Sequence, residues 1–167
     1  MEKISVSNTE EDIENRIIDW ITLGSGGRVV VFKPEKVLKG ADLIAKKRSG
    51  YEEKEISFKI NSCIGPAGSN DFIKTLLQND FKPNKEFYLL FVYFDEIRQE
   101  ISDHIWVVPS LEFKDIADST VLGGKKALRF EASLDIKKKN KFSKFLLDKK
   151  DFVRFLIEAF EKNEVHS

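Results

Sequence analysis

The sequence predicts an α/β fold, with a mixed central β-sheet flanked by helices. Three stretches predict it. Residues 55 to 61 alternate strictly, with Ile56, Phe58 and Ile60 on one side and Glu55, Ser57, Lys59 and Asn61 on the other, the pattern of a strand buried on one face. Glu86 to Phe94, EFYLLFVYF, is the most apolar run in the chain, and its aromatic and β-branched content marks a strand inside a sheet. Ile13, Ile17, Trp20 and Ile21 recur at helical spacing. Strand and helix periods thus alternate along a chain of 167 residues, 41% of them hydrophobic, which suits one domain over residues 1 to 167.

In order, residues 7 to 22 read as a helix, with Ser7 or Thr9 as its cap and acidic residues in its first turn. Gly24, Gly26 and Gly27 end it. This glycine turn follows a helix and precedes a strand, the reverse of the order a phosphate-binding loop requires. Residues 28 to 32, RVVVF, form a short strand closed by Pro34. A hairpin follows, whose strands begin near Asp42 and Glu55. Residues 62 to 70 read as a loop, with Ser69 or Asn70 capping a helix over 71 to 79, whose apolar face is Phe72, Ile73, Leu76 and Leu77. After the strand at 86 to 94 come a strand at 104 to 108, a short helix from Ser110, and a strand at 127 to 134. The chain finishes with a helix over 142 to 162, with a break near Lys149 and Lys150.

Composition excludes several chemistries. One cysteine, Cys63, rules out an internal disulfide and a thiolate metal cluster. The two histidines, His104 and His166, lack the partners a triad or a zinc site needs. Acidic residues 10 to 12 break any signal-like apolar run, and no stretch reaches the roughly 20 apolar residues of a membrane helix, so a cytoplasmic protein without membrane contact is expected. Net charge is zero, with 28 basic and 28 acidic residues, so no global field draws the chain to nucleic acid. The basic residues concentrate late. Residues 125 to 150 hold ten Lys or Arg against three acids, and the run Lys137, Lys138, Lys139 and Lys141 is either a phosphate grip or a solvated loop.

If the two strands between Gly40 and Asn61 pair, the Asp42 carboxylate lies near the Glu55 and Lys59 side chains. Carboxylates beside a lysine are what a divalent-metal site for phosphodiester hydrolysis uses, the acids holding Mg²⁺ and the lysine orienting water or offsetting charge. On these pieces, residues 40 to 45 (GADLIA) and 56 to 62 (ISFKINS), the sequence resembles the PD-(D/E)xK nuclease superfamily, with the restriction-endonuclease-like fold. The resemblance spans residues 7 to 108, leaving the strand and helix of 125 to 163 as an addition. One position departs from the pattern, since Ser57 stands where the family has an acid two residues before its lysine.

The resemblance implies Asp42, Glu55 and Lys59 as the catalytic set, with Asp42, Glu55 and Glu14 as ligands of Mg²⁺ or Mn²⁺, and Glu14 and Ser57 in accessory roles. A strand rises about 3.3 Å per residue, so Glu55 starts roughly 6 to 7 Å from the missing carboxylate. Ser57 offers only a neutral oxygen. Two functions follow from the resemblance: a metal-dependent phosphodiesterase acting on DNA, as in bacterial defence or repair, or an inactive nuclease-like domain serving binding or assembly. A homodimer or another protein partner fits either.

Overall fold

A computed structural model of the chain describes residues 6–35, 40–48, 54–65 and 71–164. The elements in order are α1 (Val6–Gly24), β1 (Val29–Phe32), β2 (Leu43–Lys47), β3 (Glu55–Gly65), β4 (Asp71–Leu77), β5 (Phe87–Asp95), β6 (Glu100–Ile101), β7 (His104–Pro109), α2 (Ser110–Ile116), β8 (Asp118–Leu122), β9 (Lys125–Ser133), β10 (Leu146–Asp148) and α3 (Phe152–Glu164). Six strands form a path β1-β2-β3-β5-β7-β10, and β6 hangs from β5. The pair β3 and β5 is parallel and its neighbours are antiparallel, so the sheet is mixed, as the sequence predicts.

The apolar stripe of α1 explains one side of this sheet. Ile13, Ile17 and Ile21 are buried against Leu43, Ala45, Ile56 and Phe58 of β2 and β3, and Phe152, Leu156 and Phe160 of α3 join the same core. Among the described residues no helix is long and apolar enough to cross a membrane.

The other side departs from the expected helix at 71 to 79. That segment is β4, which pairs with β9 along its whole length, from Asp71 opposite Ser133 to Leu77 opposite Ala127, and with β8 completes a three-stranded sheet. Phe72, Ile73, Leu76 and Leu77 satisfy a helical face and a strand alternation almost equally over seven residues. Pairing with a partner some 55 residues away decided between them. The proposed caps Ser69 and Asn70 lie outside the described residues, and β3 continues to Gly65 instead of ending at Asn61. Strand β8 was not anticipated. It joins β9 through Gly123 and Gly124, both at positive φ (58° and 77°), the conformation that two-residue hairpin turns require.

Between the two sheets lies an aromatic core of Phe72, Phe91, Trp106, Phe113, Phe130 and Phe142. Phe91 and Phe130 stack at 3.8 Å between ring centroids and 8° between planes. The expected helix over 142 to 162 is shorter. Leu146–Asp148 pairs with β7 as the sheet's edge, and the break comes at a 3-10 turn, Lys149–Asp151, where the Asp148 carboxylate accepts from the Lys150 amide at 2.9 Å. Only then does α3 begin.

Candidate active site

A cavity of about 280 Å³ opens where the start of β2, the middle of β3, α1 and β4 meet. Gly40 prepares it. This residue has φ of +81°, and a Cβ there would lie 1.9 Å from the Asp80 carbonyl oxygen, so only glycine lets the chain turn this closely into β2.

Asp42 stands just before β2. Its amide donates to the Phe58 carbonyl at 2.8 Å, and its Oδ2 accepts from the Ile60 amide at 2.7 Å. The side chain thereby extends the β2–β3 ladder past the end of the strand. Since Leu43 pairs with Phe58, Asp42 stands opposite Lys59. Burial pushes the Asp42 carboxyl above its ordinary value, the Ile60 amide and the Lys59 charge pull it down, and Glu10 pushes it up again.

Glu14 comes from α1 and lines the same cavity. Burial raises its carboxyl too, against the pull of Lys33, whose Nζ lies 3.4 Å from Oε2, while the charges of Asp42 and Glu10 raise it further. Glu10, one helical turn earlier, is the wall residue the sequence reading missed; its i, i+4 spacing from Glu14 was the available signal. Among the described residues, Asp80 is a fourth carboxylate on the lining, and Lys59 and Lys74 are its two cations.

The structure does not bring every expected residue here. Glu55 lies across the ladder from Lys46, with its Oε1 3.0 Å from the ammonium, and is not part of the cavity wall. Ser57 does not line it either. From β3 the lining continues in the other direction, through Ile60, Asn61 and Ser62. Lys137, Lys138, Lys139 and Lys141 are exposed on the loop between β9 and β10, away from the lining, and Lys141 is paired with Asp118 at 2.8 Å.

Among the described residues no three His, Cys, Asp or Glu side chains are grouped closely enough to hold a metal by themselves. The donor chemistry nevertheless fits a hard divalent cation that keeps much of its water. Mg²⁺ binds through one or two carboxylates, and Asp42 and Glu14 are carboxylates on one lining whose charged forms burial disfavours and a cation would favour.

No protein-family model matches the chain, and no curated protein matches its sequence. Among solved structures, the fold is similar to that of a bacterial homing endonuclease, I-Ssp6803I, with a TM-score of 0.54 and 12% identity over 96% of this chain and 98% of that one. At this identity the likeness is one of fold, a mixed sheet flanked by helices.

Proposed function

We propose that this chain is a divalent-metal-dependent phosphodiesterase of the PD-(D/E)xK type, acting on DNA. The observation that carries the reading is that Asp42 and Lys59, neighbours across the β2–β3 ladder, share one cavity with Glu14 of α1. The fold likeness to a homing endonuclease supports the same substrate class.

In this reading Asp42 and Glu14 hold Mg²⁺ or Mn²⁺. Held there, such an ion would supply Lewis-acid charge neutralisation for the phosphoryl transfer. Lys59 orients the attacking water through its ammonium donors and offsets the negative charge that builds as the water oxygen bonds to phosphorus and the P–O ester bond breaks. The Ile60 amide fixes one Asp42 oxygen and so orients the carboxylate that would hold the ion. Ser57 replaces the family's second acid, and Glu55 is engaged with Lys46, so the metal is held by less carboxylate charge than the family pattern provides.

That deficit also favours the competing reading, an inactive nuclease-like domain used for binding or assembly. Nicking of supercoiled plasmid with Mg²⁺ or Mn²⁺, compared for the wild type and Asp42→Asn, separates the two. Metal-dependent nicking that disappears in Asp42→Asn is expected. Intact plasmid at millimolar metal, with calorimetry showing no metal binding, would favour the inactive domain.

A further inference from the structure

The cavity has a second wall, built from β4 and the distal half of β3. Lys74 lies on the inward face of β4, between buried Phe72 and Leu76 and opposite buried Phe130 of β9. A lysine in that row is out of place for a sheet packed on an aromatic core. Its Nζ donates to the Ser62 carbonyl at 3.4 Å, a long bond that occupies one of three ammonium donors.

Beside it on the same lining is Asn61, only 4% exposed. Its Nδ2 is buried and has no hydrogen-bond partner among the described residues. A buried amide without an acceptor carries a desolvation cost, which an acceptor arriving with a ligand removes. Lys74 and Asn61 therefore stand on one wall of the cavity, the lysine charged and the Asn61 amide unsatisfied and shielded from solvent, so that the amide must turn outward to meet an arriving acceptor. Such a pair selects an oxyanion, and a cavity of about 280 Å³ has room for a phosphate group with several waters at about 30 Å³ each.

We propose that Lys74 and Asn61 form a phosphate subsite, facing the carboxylates of Asp42 and Glu14, that holds a phosphodiester of the nucleic-acid strand. The identity of the occupant rests on the nuclease reading. The oxyanion chemistry rests only on this wall. Lys59 and Lys74 offset part of the repulsion between the phosphate and the four lining acids, Glu10, Glu14, Asp42 and Asp80.

The test follows the Asn61 side-chain amide by NMR in isotope-labelled protein, with chelator present to remove metals. Inorganic phosphate is titrated first, then a single-stranded thymidine oligonucleotide. Saturable shifts of the Asn61 NH₂ resonances are expected in both titrations, with apparent affinity about tenfold weaker in Lys74→Met and largely restored in Lys74→Arg. Shifts with phosphate but none with the oligonucleotide would overturn the nucleic-acid assignment. An unmoved Asn61 amide in the folded wild type would overturn the subsite, and so would equal affinity in a folded Lys74→Met. If Lys74→Met does not fold, the wild-type titrations still decide. The parent reading fails separately: a protein that passes these titrations but never nicks DNA keeps the subsite and loses the nuclease. Metal-dependent nicking with KM unchanged in Lys74→Met would do the reverse.

Discussion

The Asp42 carboxylate accepts a 2.7 Å hydrogen bond from the amide of Ile60, the residue that follows Lys59. Acid and lysine are thus locked to one another through the backbone of β3, and a disturbance of either strand start reaches both. This coupling, together with burial, governs how substitutions here should behave.

Asp42→Asn should make the protein more stable at neutral pH while abolishing its response to metal. Burial raises the Asp42 carboxyl above the ordinary 3.8, so the folded state binds the proton more tightly than the unfolded chain does. Stability from this group is therefore fully present below 3.8 and is lost as pH rises through the folded value. The variant, which keeps an oxygen for the Ile60 amide, should show a gain in Tm that grows with pH over that window and then levels. Thermal melts from pH 3 to 8, with and without Mg²⁺, measure both effects; a wild-type Tm raised by Mg²⁺ but an unchanged variant Tm is the expected pair.

Gly40→Ala should destabilise the fold and weaken the metal response with it. The added Cβ collides with the Asp80 carbonyl, and φ of +81° is itself unfavourable for alanine, so a loss of more than about 1 kcal/mol is expected in urea unfolding.

Lys59→Met should lower cleavage by about 10² to 10⁴ while changing DNA affinity far less, because its proposed contribution is made to the attacking water and the transition state. Single-turnover rates and metal-only binding, measured side by side, distinguish this from a loss of fold.

Glu55→Gln should leave metal binding and nicking near the wild-type level. Its partner Lys46 is partly exposed, as is Glu55 itself, and such a pair contributes under about 1 kcal/mol to stability. A loss of nicking as complete as that of Asp42→Asn would instead return Glu55 to the site.

Phe130→Ala should cost about 3–5 kcal/mol, since a fully buried ring stacked on Phe91 leaves a cavity between the two sheets. A lowered urea midpoint with an unchanged slope is the expected signature.

Elements whose partners are close in sequence were legible in advance. The stripe of α1, the hairpin of β2 and β3, and the apolar runs of β5 and β7 declare their period locally, and the hairpin allows Asp42 to lie near Glu55 or Lys59, between which the register of the pairing chose Lys59. Glu14 could be proposed because the resemblance implies an accessory acid on the first helix, which its own period had already marked. Lys74 could not, since reading residues 71 to 79 as a helix hid the fact that it shares an inward row with Phe72 and Leu76.

The sequence by itself determined the mixed sheet, the helix that covers one face, and the pairing of an acid with a lysine on adjacent strands, because each follows from periodicity over a few residues and a short-range turn. Only the tertiary structure decided that β4 crosses to a second sheet, that Glu55 faces Lys46, and that Asn61 and Lys74 share the cavity with Asp42. Strand pairing between distant segments sets these, and a short apolar stretch carries no local mark of the partner it will find.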